Sequence, residues 1–119
     1  MGKLDEAARW FTARRQDSGN WRMDTNGELR LIEAVRALDA AAVFDVGAHV
    51  GDWSEAALGA LPVATVTSFE PIPAVVARCQ ERLARFGDRS RVVAAGLADS
   101  KGERAFFIDP RRTTVSGLA

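Results

Sequence analysis

The sequence predicts an open α/β sheet of parallel strands, preceded by two helices. A nearly continuous apolar run at residues 42–46 leads into glycines, a helical segment follows, and a second run, residues 64–69, is rich in Val and Thr. An apolar run of this kind is typical of a strand buried on both faces of a parallel sheet. Strand, helix and strand in this order form one βαβ unit, the building block of such sheets.

Two amphipathic helices are predicted before the first strand. Their apolar residues recur at helical spacing, in one helix as Leu4, Ala7, Ala8 and Phe11, and in the other as Leu31, Ile32, Val35 and Leu38. The polar stretch between them carries Trp21, for which we expect packing on a neighbouring surface, with a place beside a ligand as the alternative. We therefore divide the chain into an amino-terminal helical segment, residues 1–40, and a sheet domain, residues 41–119.

Further elements follow the first strand. We predict a helix over residues 52–61 that ends before Pro62, and another over residues 73–86 that ends at Gly87. Residues 91–95 form a predicted third strand and residues 104–108 a fourth. Because the connection between them is too short for a crossover helix, we expect the fourth strand to run antiparallel to the third. The arginines at positions 78, 82, 85, 89 and 91 are interpreted as a solvated face rather than a phosphate site.

The composition excludes several function classes. The 119 residues include 16 basic and 16 acidic side chains, so no net charge draws the chain to nucleic acid or to an anionic membrane. The one cysteine, Cys79, cannot form an internal disulfide, and no Cys/His spacing indicates a metal site. We find no signal-peptide pattern and no bilayer-spanning run, and we expect a cytoplasmic protein without a membrane partner.

The loop after the first strand carries the chemistry. It reads Asp45-Val46-Gly47-Ala48-His49-Val50-Gly51 and leads into a helix. Gly47 and Gly51 suit a sharp bend that approaches a ligand closely, and His49 tolerates a left-handed backbone moderately well. The second strand ends at Glu70, about 20 residues beyond the glycines, where a carboxylate can accept hydrogen bonds from both hydroxyls of a ribose. Loop and carboxylate together favour an adenosine-containing ligand.

Two features separate the candidate ligands. The G-x-G-x-x-G fingerprint of nicotinamide cofactors is absent, since the glycines are Gly47 and Gly51 with three residues between them. Asp45, just before the loop, also suits a ligand with a positive ammonium group better than a diphosphate. S-adenosylmethionine is such a ligand, and an NAD-dependent oxidoreductase remains the alternative enzyme.

These residues resemble a known family. Residues 43–51 and Phe69-Glu70-Pro71-Ile72-Pro73 are similar to the opening motifs of FkbM-like methyltransferases, with His49 in place of the family's usual asparagine. Asp45, Gly47, Ala48 and Gly51 match its loop, and residues 95–99, ending in Asp99, resemble its stretch near the adenine. The resemblance implies a class I, Rossmann-like methyltransferase fold, S-adenosylmethionine as methyl donor and cofactor contacts at Asp45, Gly47, Ala48, His49, Gly51, Glu70, Pro71 and Asp99. It also implies a hydroxyl oxygen as acceptor, on a small molecule or a glycan.

The family's later motif has no counterpart before residue 119. We therefore expect a truncated sheet in which the first strand lies at an open edge, a feature that favours self-association or a partner chain. A noncatalytic fragment or interaction module is accordingly a further alternative. No catalytic residue is assigned, although His49 is the one histidine that could serve as a general base for a hydroxyl acceptor.

Overall fold

The computed structural model of the chain describes residues 2, 5–9, 12, 20–111 and 117–118. Residues 5–9 and 12 are helical, in agreement with the first predicted helix, of which Leu4 and Phe11 lie outside the described residues. The later helices are α1 (Glu28–Arg36), α2 (Asp52–Ala60) and α3 (Pro73–Leu83), and α3 continues into a 3-10 segment, Ala84–Arg89. The strands are β1 (Ala42–Val46), β2 (Thr65–Phe69), β3 (Ser90–Val93), β4 (Phe106–Phe107) and β5 (Gly117–Leu118).

The first three strands form a parallel sheet in the order β1-β2-β3. Val46 pairs with Phe69, and Phe69 in turn with Val93, so the carboxyl ends of the three strands lie at the same edge of the sheet. This arrangement confirms the predicted α/β fold. It also brings the loop after β1 next to the residues that follow β2, which is where ligands bind in sheets of this kind.

The fourth strand does not pair with the third in the structure. β4 is two residues long and pairs antiparallel with β5 in a separate sheet, with Phe106 opposite Leu118. Between β3 and β4, residues 94–105 adopt no helix or strand, so the short connection does not form a tight hairpin.

The three later helices cover one face of the parallel sheet. Their contact with the sheet is an apolar core that includes Ile32 from α1, Leu58 from α2, Leu83 from α3 and Val66 from β2, each at most 2% exposed. Cys79 is fully buried in this core, and burial raises the pKa of its thiol. Because the thiolate is disfavoured there, Cys79 is a packing residue, as a cysteine on the apolar stripe of a helix usually is.

The other face of the sheet is open among the described residues, which corrects the expectation that β1 is buried on both faces. Phe44 is 69% exposed and Val46 59% exposed, while the alternate residues Val43 and Asp45 are half-buried against the helices. The Phe44 ring lies at 81° to the Phe69 ring, with a centroid distance of 6.0 Å. β1 pairs with β2 alone in the described chain, so it is the edge strand that the sequence predicts.

The arginines of the third helix face solvent or carboxylates, as predicted, with one exception. Arg82 forms ion pairs with Asp52 and Glu55, and Arg85 pairs with Glu55 at 3.5 Å. Arg89 instead donates to backbone carbonyls at the end of α2, including that of Leu58 at 2.9 Å. None of the helices in the described part of the chain is long and apolar enough to cross a bilayer.

Candidate functional site

A cleft of about 660 Å³ opens at the carboxyl ends of β1 and β2. The loop after β1, the residues after β2 and the segment before α1 all contribute to it. Its lining consists of Trp21, Met23, Glu28, Gly47, Ala48, His49, Asp52, Trp53, Glu70, Pro71, Ile72 and Phe106. The structure therefore brings five of the predicted site residues into one cleft: Gly47, Ala48, His49, Glu70 and Pro71.

Glu70 is the fixed acceptor of this cleft. Its side chain is buried, and its Oε2 accepts a hydrogen bond from the backbone N–H of His49 at 3.0 Å while its Oε1 accepts one from Ile72 at 2.9 Å. A carboxylate offers about four lone-pair positions, so each oxygen retains one for a ligand. Two neighbouring hydroxyls are the partners that suit two such oxygens, and Glu70 is already oriented before they arrive.

The loop after β1 adopts the left-handed backbone that its sequence suggests. Gly47, His49 and Gly51 have φ angles of 78°, 50° and 89°. The bend is joined to β2, because the N–H groups of Gly47 and Ala48 both donate to the carbonyl of Phe69, at 2.9 and 3.0 Å. The prediction that His49 would tolerate this conformation is confirmed.

The two glycines of the loop differ in what surrounds them. A Cβ on Gly51 would lie 3.1 Å from the Sγ of Cys79 and 3.4 Å from Leu83, so the absence of a side chain there lets α2 pack closely on α3. A Cβ on Gly47 would meet no protein atom within 4 Å. Gly47 lines the cleft, so the space beside it belongs to whatever the cleft binds.

Asp45 is not among the residues that line the cleft, and its contact with a ligand's ammonium group stays a prediction. Side chains alternate along a strand, and Asp45 lies on the helix-covered face together with Ser68, its partner in the sheet. Its Oδ2 accepts a hydrogen bond from the hydroxyl of Ser54 at 2.6 Å, and the Ser54 hydroxyl lies 2.7 Å from that of Ser68. Burial raises the pKa of the Asp45 carboxyl, and hydrogen bonds from the Ser54 side chain and backbone oppose that shift.

This carboxylate therefore holds the start of α2. Gly51, at the amino-terminal end of the helix, has no side chain to cap it, and Asp45 accepts from the third residue of the helix, Ser54. Asp45 thus contributes to the shape of the site through the position of α2.

Asp99 also lies apart from the cleft. Its carboxylate pairs with Arg104 at 3.1 Å and is largely exposed. It belongs to a neighbouring groove of about 570 Å³ formed by residues 95–102 and Arg104. Only the beginning of this segment approaches the cleft, since a Cβ on Gly96 would lie 3.7 Å from the Cβ of Pro71.

The charge of the cleft is negative. Glu28, Asp52 and Glu70 line it, and no Lys or Arg side chain does so among the described residues. Asp52 is paired with Arg82, whereas Glu28 and Glu70 form no ion pair with an arginine among the described residues. The same described residues contain no cluster of His, Cys, Asp and Glu that could hold a metal ion. Such a cleft favours a cationic ligand over a diphosphate.

The sequence did not identify several lining residues. Asp52 and Trp53 directly follow the glycine loop, and their place in the first turn of α2 could have identified them from the sequence. Met23, Glu28 and Phe106 come from segments whose approach to the cleft depends on tertiary packing. For Trp21, the structure supports the alternative of a place beside a ligand, because the side chain lines the cleft and is 88% exposed.

Comparison with known proteins supports the fold. The chain matches no protein-family model. It is 35% identical over 79 residues to the AMB antimetabolite synthetase AmbE of Pseudomonas aeruginosa, a match that spans 66% of this chain and 4% of that protein. Among solved structures, it is similar to PH1948 of Pyrococcus horikoshii, which is assigned as an RNA methyltransferase, with 23% identity and a TM-score of 0.50 over 60% of this chain and 35% of that one.

A looser similarity extends over more of the chain. The 1,6-didemethyltoxoflavin-N1-methyltransferase of Burkholderia thailandensis, solved with S-adenosylhomocysteine, has 20% identity and a TM-score of 0.46 over 87% of this chain and 47% of that one. The fold assignment rests on the strand order and on the PH1948 overlap. The chain has a class I, Rossmann-like methyltransferase fold, of which it spans the part that contains the first three parallel strands.

Proposed function

We propose that this chain binds S-adenosylmethionine and is the cofactor-binding part of an FkbM-like methyltransferase. The observation that carries the proposal is the meeting of Glu70 and Gly47 in one cleft at the carboxyl ends of the strands. Glu70 has two oxygens available for paired ribose hydroxyls, and the space beside Gly47 lets the rest of the nucleoside approach the backbone. Had Glu70 pointed away from the Gly47 bend, only the fold would support this function.

The charge of the cleft favours this cofactor over a nicotinamide dinucleotide. The donor carries a sulfonium and an ammonium group, which Glu28 and Glu70 attract, whereas a diphosphate would meet carboxylates and no lysine or arginine from the cleft lining among the described residues. The attraction also differs between donor and product. Because the product has lost the sulfonium charge, the same carboxylates hold it less strongly, which favours exchange after each transfer.

When bound, S-adenosylmethionine would supply an electrophilic methyl group to the acceptor, and a hydroxyl acceptor would release its proton to solvent. The residues of the chain hold and orient the cofactor. Glu70 binds the ribose, and the Gly47 bend sets how closely the cofactor approaches β1. Positioning of this kind supplies much of the rate enhancement of a displacement reaction. His49 lies in the cleft, and its backbone N–H donates to Glu70, so we assign its backbone to the cofactor loop.

We further propose a small-molecule acceptor that is methylated on oxygen. The similarity to a stretch of AmbE, a protein named as an antimetabolite synthetase, supports a small molecule rather than a macromolecule. The balanced charge of the chain also gives no basis for binding nucleic acid. A glycan hydroxyl remains compatible with the same chemistry.

Calorimetric titration of the 119-residue chain with S-adenosylhomocysteine, and separately with NADH, tests the cofactor. We expect the first to bind and the second not to bind. Gly47→Ala should weaken S-adenosylhomocysteine binding by about 5- to 100-fold, because an added methyl group in an occupied site costs about 1–3 kcal/mol.

Gly87→Ala is the matched control. Gly87 also has a positive φ, 56°, and open space around it, but it lies just before β3, at the amino-terminal ends of the strands. Binding to Gly87→Ala should equal that of the wild type. Absence of S-adenosylhomocysteine binding to the wild type would refute the proposed function, and binding of NADH in its place would establish the oxidoreductase.

A further inference from the structure

The exposed indole of Trp21 has no structural role that the fold explains. Its side chain is 88% exposed, although tryptophan has the largest apolar surface of any residue and is highly buried on average. It nevertheless lines the same cleft as Glu70. An exposed aromatic side chain beside a cleft is a typical means of binding a ligand's flat face.

The turn that carries Trp21 is held by side-chain hydrogen bonds. The Asn20 amide oxygen accepts from the N–H of Arg22 at 3.1 Å, and its Nδ2 donates to the Thr25 hydroxyl at 3.1 Å. Asn26 Nδ2 donates to the Asn20 carbonyl at 3.3 Å, and its Oδ1 accepts from the N–H of Glu28 at 3.0 Å. The turn is thereby tied to the start of α1. A fixed backbone lowers the entropy lost when its side chain binds a ligand.

The surroundings of Trp21 define the chemistry of that ligand. Trp53 and Phe106, both half-buried, supply two more aromatic rings to the cleft lining. Glu28, at the first position of α1, adds a negative charge that no basic side chain of the described lining balances. Aromatic rings next to an uncompensated carboxylate favour flat ligands that are neutral or cationic and disfavour anions.

We propose that Trp21 stacks on the methyl acceptor and that, with Glu28, it selects flat aromatic acceptors that carry no negative charge. The inference rests on the proposed function, since it assigns the acceptor side of the same cleft. The turn at residues 20–26 is the acceptor wall, and the Glu70 and Gly47 side holds the cofactor. Trp21 is thus a specificity-determining residue contributed by the segment before the sheet.

Three related probes test the selection. They are 2-naphthol, which is neutral, N-methylquinolinium, which is cationic, and 2-naphthoate, which is anionic. Each is titrated calorimetrically into the chain saturated with S-adenosylhomocysteine. We expect the neutral and cationic probes to bind more tightly than 2-naphthoate, and Glu28→Gln to narrow the difference between 2-naphthol and 2-naphthoate by about 3-fold, as expected for one partly screened charge.

Trp21→Ala should weaken 2-naphthol binding by about 3- to 10-fold, the range of a single aromatic stacking contact, and Trp21→Phe should restore most of it. Val63→Ala is the control, because Val63 is also highly exposed, at 74%, but lies before β2, at the amino-terminal ends of the strands. S-adenosylhomocysteine affinity should be the same in the wild type, in both Trp21 variants and in Val63→Ala. Circular dichroism and melting of each variant confirm that it is folded.

Each result separates the inference from the proposed function. If Trp21→Ala binds 2-naphthol as tightly as the wild type does, or if the wild type prefers 2-naphthoate, the acceptor assignment is wrong, while the proposed cofactor binding is unaffected. A loss of S-adenosylhomocysteine affinity in Trp21→Ala places the indole on the cofactor instead, and also overturns it. If the wild type binds no S-adenosylhomocysteine, the proposed function fails whether or not the probes bind.

Discussion

Gly51→Ala tests the packing of the loop against the third helix. Two costs add at this position. The residue has a φ of 89°, at which an alanine is strained by about 1–2 kcal/mol. Its Cβ would also lie 3.1 Å from the Cys79 Sγ, a contact that forces a shift in a buried core and costs about 1–3 kcal/mol. We expect Gly51→Ala to lower the free energy of unfolding by about 2–5 kcal/mol.

A double-mutant cycle separates the two costs. Cys79→Ala removes the Sγ atom that the new Cβ would meet and leaves the backbone strain in place. The double variant should therefore be more stable than the sum of the single changes predicts, by about 1 kcal/mol. Urea unfolding followed by circular dichroism measures all four proteins. Additive effects in the cycle would refute the close contact between Gly51 and Cys79, and a loss below about 1 kcal/mol in Gly51→Ala would refute the left-handed backbone as well.

Three further changes test the remaining contacts. Arg89→Ala should lower the free energy of unfolding by about 2–4 kcal/mol and Arg89→Lys by less, because the guanidinium donates hydrogen bonds to the carbonyls of Leu58 and Ala64. Equal losses for the two variants in urea unfolding would argue against these paired hydrogen bonds. Relative to the wild type, Asp45→Asn should become more stable as the pH rises above about 3.9. The fold raises the pKa of the Asp45 carboxyl, so ionisation of this group lowers the free energy of unfolding of the wild type and not that of Asp45→Asn. A difference in free energy of unfolding that does not change with pH would contradict the burial of this charge. Phe44→Ala should cost only about 0.5–1.5 kcal/mol, the range of one aromatic pair, whereas a loss of about 3–5 kcal/mol in the same assay would show that the open face of the sheet is covered.

Local sequence signals predicted the core of the fold and of the candidate site. The bounds of β1 follow from its apolar run, and the left-handed bend follows from Gly47 and Gly51. The meeting of that bend with Glu70 follows from topology, because parallel neighbouring strands end at the same edge of a sheet. In each case the signal lies within a few residues or in the order of the elements.

Other features depended on which surfaces pack together. Strand alternation separates Asp45 from Phe44, but it does not say which of the two faces the helices cover, so Asp45 was expected at the ligand. Pro62 has no N–H for the carbonyl of Leu58, which leaves an acceptor without a helical donor. The sequence shows that need, but the donor is Arg89, 31 residues later, and only the tertiary structure brings the two together.

Gly47, rather than Glu70, is the better position for testing the site. Glu70 joins two segments of the cleft, since its oxygens accept hydrogen bonds from the backbone N–H groups of His49 and Ile72. Any substitution of Glu70 leaves at least one of those buried donors without its partner, so a loss of binding would combine the missing ribose contact with a displaced loop. Gly47 has open space where a side chain would be, so a methyl group there reaches the ligand's space without displacing a protein atom, and the backbone strain of its positive φ is controlled by Gly87→Ala.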